Sequence, residues 1–202
     1  ERNPEAMRRW LKEEYPAIRR EAKAMRASLL WGDAMGIRSD HVSGRSYSLR
    51  GVTPVIASPG KRFGTNMLSA ISNGGKLHFM LFDGEFDAKV FIRFLRRLCR
   101  QLRRRIILVV DNHRVHHSKQ VRAWLKSMRG QIELRFLPSY SPELNPDEML
   151  NQDVKANAVG RNRPRTPGAM KLRIRSYLDR RKADPEAVRR YFQAELVKYA
   201  AA

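Results

Sequence analysis

The sequence predicts a mixed α/β fold, a sheet covered by helices, and three observations predict it. Short apolar runs that read as strands recur through the first two thirds of the chain, ending with residues 105–111 and 132–137. Two alternating apolar runs, 65–72 and 76–82, flank Asn73-Gly74-Gly75, a strong hairpin signal. Amphipathic helical patterns then alternate with the later strands, as α/β sheets require.

Residues 4–26 carry Met7, Trp10 and Leu11 at i, i+3, i+4 spacing and read as helix. Pro16 predicts a short break and the start of a second helix. The apolar run Leu29-Leu30-Trp31 reads as a strand that stops at Gly32-Asp33. Residues 38–63, rich in Gly, Ser, Pro and Arg, read as an extended basic loop or hairpin. After the 65–82 hairpin, Val90, Phe91, Phe94, Leu95, Leu98 and Leu102 share one face of a helix over 87–102, with Asp87 as its cap. The strand 105–111 ends on a carboxylate, Asp111. Ser118 caps a helix over 119–128 that points Val121, Trp124 and Leu125 inward. IELRFL at 132–137 alternates as a strand. PSYSPELNP is a rigid loop, and Pro146 opens a helix through DEMLNQDVKANAV. Two further helices, 166–182 and 185–199, are separated by Asp184-Pro185.

The chain has 202 residues, enough for one domain with extensions, and 42% hydrophobic residues to build a core. Lys and Arg number 41 against 20 Asp and Glu, a net charge of +21 that calls for an anionic partner, most commonly nucleic acid. The single cysteine, Cys99, sits within a helical apolar pattern as a core residue and excludes an intramolecular disulfide, which fits a reducing compartment. No apolar run has membrane-spanning length, and the N-terminus lacks a signal-peptide pattern. The chain starts at Glu1 rather than Met, so a piece of a longer protein is the expectation.

Three acidic residues stand out by position: Asp33 after the first strand, Asp111 after the fourth, and Glu148 in the first turn of a helix. Sites in α/β sheets collect at strand ends and helix starts. Clustered carboxylates repel, and divalent cations with hard oxygen preference remove that penalty. Two such ions suit phosphodiester chemistry. Each residue also has a plainer reading: Asp33 as a turn residue, Asp111 as a loop cap, Glu148 as a favourable charge at a helix N-terminus. His113, His116 and His117 lack the spacing of a zinc site and read as residues near phosphate or as loop residues.

WGDAMGIRSD, VVDNHRVHHS and LPSYSPELNPDEMLNQDVK resemble the catalytic domain of DDE transposases, in particular bacterial insertion-sequence enzymes related to the mariner superfamily. The resemblance covers essentially the whole chain, and the third stretch is the most specific. It implies an RNase H-like fold with a five-stranded mixed sheet. The N-terminal helical segment (1–27) and a basic helical tail (161–202) would flank a catalytic domain at 28–160. It implies a triad of Asp33, Asp111 and Glu148 that binds two Mg²⁺ ions, with Mn²⁺ as a substitute. The implied reaction is hydrolysis at the element's end followed by attack of the freed 3′-OH on target DNA, typically at a TA step. Ala34 departs from the pattern, since many relatives carry an acidic residue there. The helix-turn-helix domain that recognises element ends in relatives is not seen. Arg38, Arg45, Arg50, Lys61 and Arg62 before the hairpin, Arg161, Arg163 and Arg165 after the catalytic helix, and His113 become candidates for DNA contact; solvated surface charge is the bland alternative. A homodimer and a cytoplasmic, nucleoid-associated location are expected by the same resemblance, without a membrane partner. Two other readings remain open: a hydrolysis-only nuclease of the same fold, and a DNA-binding remnant without activity.

Overall fold

The computed structural model describes residues 3–40, 49–52, 62–160 and 164–201. Five strands form one mixed sheet: β1 (Ser28–Arg38), β2 (Gly64–Ile71), β3 (Leu77–Phe82), β4 (Ile106–Val110) and β5 (Ile132–Phe136). Their spatial order is β3-β2-β1-β4-β5. The first three strands pair antiparallel, while β1, β4 and β5 run parallel. The hairpin turn lies at Ser72–Lys76, as the glycines require, with Gly75 at φ +86°.

The helices are α1 (Pro4–Arg9), α2 (Tyr15–Ala24), α3 (Ala88–Leu102), α4 (Lys119–Ser127), α5 (Asp147–Asp153), α6 (Pro167–Ala183) and α7 (Pro185–Arg190). Asp87 caps α3 by accepting from the Val90 N–H at 2.8 Å, and Ser118 caps α4 through Val121 at 3.3 Å. The break expected at Pro16 does not occur. A widened π turn over Trp10–Glu14 joins α1 to α2, and Pro16 sits in the first turn of α2, where its missing N–H costs least. A second π turn, Val154–Gly160, prolongs α5. The last expected helix is shorter than its pattern: α7 ends at Arg190, and a 3₁₀ segment follows at Glu195–Ala200.

Strand alternation divides the core between the two faces of the sheet. Leu30, Leu68, Leu108 and Val110 meet Phe91, Phe94, Leu95 and Leu98 of α3 and Val121 of α4 on one face, with Cys99 buried among them. Trp31, Met35, Met67, Ile107 and Val109 occupy the other face. There they meet Trp10 and Ile18 from the N-terminal helices, Leu150 of α5, and Ile174, Leu178 and Phe192 from the C-terminal region. Trp31 is fully buried and packs edge-on against Phe192, with ring centroids 5.2 Å apart. Both ends of the described chain therefore share one core with the sheet.

The first strand is longer than its apolar run. It continues through Gly32 and Asp33 to Arg38, because β2 keeps pairing with it from Gly32↔Ala70 to Arg38↔Gly64. Pairing with β4 stops at Trp31↔Val109. Asp33 is thus a mid-strand residue at the point where β1 loses its parallel neighbour. Gly32 is no turn there: a Cβ would lie 3.1 Å from both Leu108 Cδ1 and the Ser69 carbonyl oxygen.

Candidate active site

The register of the parallel strands brings two carboxylates together. Trp31 pairs with Val109, so two residues further on Asp33 faces Asp111 across the gap between β1 and the end of β4. By alternation both point to the face of Trp31 and Val109, the face on which α5 docks. Glu148, in the first turn of α5, enters from that side. All three line one cleft of about 400 Å³ together with Asn112, Asn145 and the loop Leu137–Pro142.

Polar contacts hold α5 in place. The Asn145 side-chain amide donates to the Gly32 carbonyl at 3.1 Å, and its oxygen accepts from the Asp147 N–H at 3.1 Å. Ser69, the β2 residue paired with Asp33, donates to the Asp147 carboxyl at 2.5 Å. Asn151, one turn beyond Asp147, donates to Asp33 Oδ2 at 2.5 Å. Asp147 is fully buried, and its pKa is pushed far above the usual carboxylate range, chiefly by desolvation.

The carboxylates differ in character. Burial, and then the neighbouring charge of Glu148, push Asp33 up to about 7; Asp111 and a hydrogen bond with Glu148 add to the shift. For Asp111, burial is the largest influence and acts upward. The hydrogen bond and charge of His116, with the His113 N–H, outweigh it and leave the carboxyl below its usual value. His116 is buried against Phe91, its Nδ1 3.1 Å from both the backbone oxygen and Oδ1 of Asp111. Asn112 fixes the adjoining loop by donating to the Leu137 carbonyl at 2.5 Å.

The donor set fits a hard divalent cation. Two carboxyl groups in hydrogen-bond contact need either a proton or a cation between them, and Asp33 and Glu148 are such a pair. The side chains line the cleft without closing into a cage: among the described residues no three His, Cys, Asp or Glu groups are clustered tightly enough to hold an ion.

Of the other sequence candidates, His113 lies exposed beside Asp111. It lines a neighbouring groove of about 450 Å³ with Asn66, Phe86 and Arg114, and its ring lies 5.3 Å from Phe86. Arg38 and Arg62 both reach Asp40, at 2.7 and 3.2 Å, so their charge is partly neutralised. Arg50 and Arg165 are exposed. Arg45, Lys61, Arg161 and Arg163 lie outside the described residues. Sequence reading named His116 only as a residue near phosphate or in a loop, without its contact to Asp111, and missed Ser69, Asn145 and Asn151. Only Asn151 left a signal, its i+3 spacing from Glu148, which puts both on neighbouring helix positions.

The family model described as DDE superfamily endonuclease matches residues 28–171. An insertion element IS630 protein of Shigella sonnei, described as an uncharacterized 39 kDa protein, is 30% identical over 127 residues, 61% of this chain and 36% of that protein. The chain therefore spans about a third of this curated relative. Among solved structures, the Mos1 mariner paired-end complex with Mn superposes with a TM-score of 0.68 at 22% identity, covering 98% of this chain and 62% of that one. The catalytic domain of Mos1 mariner transposase superposes with a TM-score of 0.63 at 20% identity, covering 98% and 92%. Mos1 structures with Mg are similar as well. These likenesses share the five-stranded mixed sheet flanked by helices, the RNase H-like fold. The chain belongs to the DDE superfamily endonuclease family.

Proposed function

We propose that this chain is the catalytic part of an insertion-sequence DNA transposase, and that Asp33, Asp111 and Glu148 are its catalytic triad. The observation that carries the reading is the strand register that sets Asp33 opposite Asp111 and turns both toward Glu148. These three carboxylates would hold two Mg²⁺ ions, or Mn²⁺ in their place. Bound there, divalent ions neutralise the carboxylates and activate the attacking and departing oxygens of a phosphodiester.

The residues of the chain then have defined tasks. His116 holds Asp111 in its rotamer and stabilises its charge. Asn151 fixes Asp33, and the Asn145 and Asp147 contacts keep Glu148 at the cleft. Water attacks the phosphorus at the element's end, and the bond from phosphorus to the 3′ oxygen breaks, leaving a 3′-OH. That hydroxyl attacks a target phosphorus in the second step, and the target's own 3′ oxygen departs. Arg38, Arg50, Arg62, Arg165 and His113 would contact DNA, with Arg45, Lys61, Arg161 and Arg163 as further contacts from outside the described residues. Segments 1–27 and 161–202 act as helical extensions of the catalytic unit 28–160. Synapsis of two DNA ends calls for a homodimer, and recognition of those ends for a helix-turn-helix domain upstream. The site of action is the bacterial nucleoid.

The test is a strand-transfer assay with a pre-cut DNA end, a supercoiled target and Mg²⁺ or Mn²⁺. Metal-dependent joining that disappears in Asp111→Ala supports the proposal. Nicking without joining points to a hydrolytic nuclease, and DNA binding without either reaction to an inactive remnant.

A further inference from the structure

We infer that the edge of the sheet opposite the carboxylate cleft is a second binding surface for the DNA backbone. It would take a duplex segment other than the strand that enters the cleft. The inference rests on the DNA-directed function proposed above.

Helices α2, α3 and α4 lead directly into the parallel strands β1, β4 and β5, so their C-terminal ends gather at the starting edge of the sheet. Each helix ends on an arginine in the left-handed conformation: Arg26 at φ 51°, Arg103 at φ 48° and Arg129 at φ 48°. Glycine is the usual occupant of that position because it has no Cβ to strain the backbone. The helix dipole does not explain the arginines. Lys23, Arg100 and Lys126 already complement it from the last turns of the three helices.

A cleft of about 390 Å³ opens at this edge, between the end of α2 and the β2–β3 turn. Five cations line it, Arg19, Lys23, Arg26, Lys76 and Arg104, and no carboxylate does. All five are exposed, and among the described residues none is in a salt bridge. Arg38 and Arg62, by contrast, share Asp40. Unpaired guanidinium and ammonium groups along an open groove match the charge of a phosphate backbone. From Ser28 to Asp33 the strand rises about 17 Å, at roughly 3.3 Å per residue. The two clefts share no lining residue and lie at opposite ends of this stretch of β1, so this edge is assigned a duplex segment of its own.

The conformation of the three arginines supplies the test. Arg26→Gly, Arg103→Gly and Arg129→Gly, combined in one protein, remove charge where glycine suits the backbone, so the fold should be retained. A control protein carries Arg93→Gln, Arg97→Gln and Arg122→Gln, the same charge loss on the bodies of α3 and α4. Binding of the 202-residue chain to a duplex several turns long is measured against salt concentration without divalent metal. The slope of log K against log salt should fall by roughly 0.9 for each lost contact in the glycine variant, and by clearly less in the control. A further variant, Lys23→Glu with Arg104→Glu, should weaken binding beyond the glycine variant. Equal losses in the glycine and control proteins, unchanged binding, or no duplex binding by the parent would overturn the inference. Metal-dependent nicking is scored separately on the same proteins. A parent that binds through this edge but never nicks would defeat the transposase reading and leave the surface standing.

Discussion

Asp33 and Asp111 stand opposite each other on neighbouring parallel strands, two residues beyond the last paired positions, Trp31 and Val109. Their meeting follows from register alone. A shift of one residue in β4 would turn Asp111 toward α3, away from Glu148, and bury Val110 on the wrong face. The apolar alternation that builds the core therefore also aims the carboxylates.

Asp111→Asn should keep that register and remove a charge from the cleft. We expect metal-dependent nicking of plasmid DNA to fall on the order of 10²–10³-fold or more, while circular dichroism stays that of the parent. Nicking at parental rates would remove Asp111 from the chemistry.

The metal-free protein should lose stability as pH rises. Asp33 titrates at about 7 in the folded chain against an ordinary 3.8. Below about 4 the carboxyl is protonated in both states, and its contribution is fully present. Between about 4 and 7 the unfolded chain ionises first, so stability falls as pH rises through the folded value, by on the order of 2–4 kcal/mol. Mg²⁺ should then raise the melting temperature more at pH 8 than at pH 5, and Asp33→Asn should flatten both responses. Equal Mg²⁺ shifts at the two pH values would contradict this account.

Much of the fold was legible because period-2 and period-3.6 patterns are local. The Asn73-Gly74-Gly75 turn, the Asp87 and Ser118 caps and the inward face of α3 all follow from residues a few positions apart. The length of β1 was not legible: Gly32 reads as a turn until β2 and Leu108 are beside it, where it is a close-packed strand residue. The π turn that carries the chain past Pro16 leaves no pattern of its own. At the site, acidic residues after apolar runs were visible as types, and their convergence required only the strand order. Ser69, Asn145 and Asn151 acquire their roles when α5 docks on β1 and β2, a tertiary event whose one short-range trace is the i+3 spacing of Asn151 from Glu148.

Asn151 should behave as a positioning residue for Asp33. Asn151→Ala removes the hydrogen bond to Asp33 Oδ2 and leaves that carboxylate freer to rotate. We expect kcat to fall about tenfold with KM for DNA little changed, the pattern of an interaction that matters in the transition state. Asn151→Asp sets a further carboxyl against Asp33 and should raise the Mg²⁺ concentration needed for half-maximal nicking. A loss confined to KM would assign Asn151 to DNA binding instead.

Asp153 anchors the C-terminal helices to α5. Its carboxylate accepts hydrogen bonds from Tyr177 at 2.7 Å, Asn157 at 2.6 Å and Arg181 at 3.0 Å, and from Tyr191. Burial alone would push its pKa up, but these four donors together hold it below the usual range. Asp153→Ala should cost about 2–3 kcal/mol, because four donors lose a charged acceptor. In a chain of this size that lowers the melting temperature by roughly 4–12 °C. The folded pKa is depressed, so the stabilisation is present above the unfolded value and is lost as pH falls through the folded one. Calorimetry of parent and variant at pH 7 should show the gap, and the two curves should approach each other at low pH.

Gly75 links the β2–β3 turn to α7 in a way only glycine permits. Its φ is +86°, and a Cβ there would lie 2.7 Å from both the Cβ and the carbonyl oxygen of Pro185. Neither obstacle is the tip of a flexible side chain, so backbone has to move. Gly75→Ala should cost about 2–4 kcal/mol, combining left-handed strain with overpacking. Gly74→Ala, one residue earlier, is the matched control: its nearest neighbour would be Ser72 Oγ at 3.6 Å, an ordinary contact. That change should stay within about 1 kcal/mol of the parent. Urea unfolding separates the two cases, since a lower midpoint at constant m-value reports lost stability rather than an altered unfolded state. Equal midpoints for the two variants would mean that α7 yields at Pro185 and does not hold the turn.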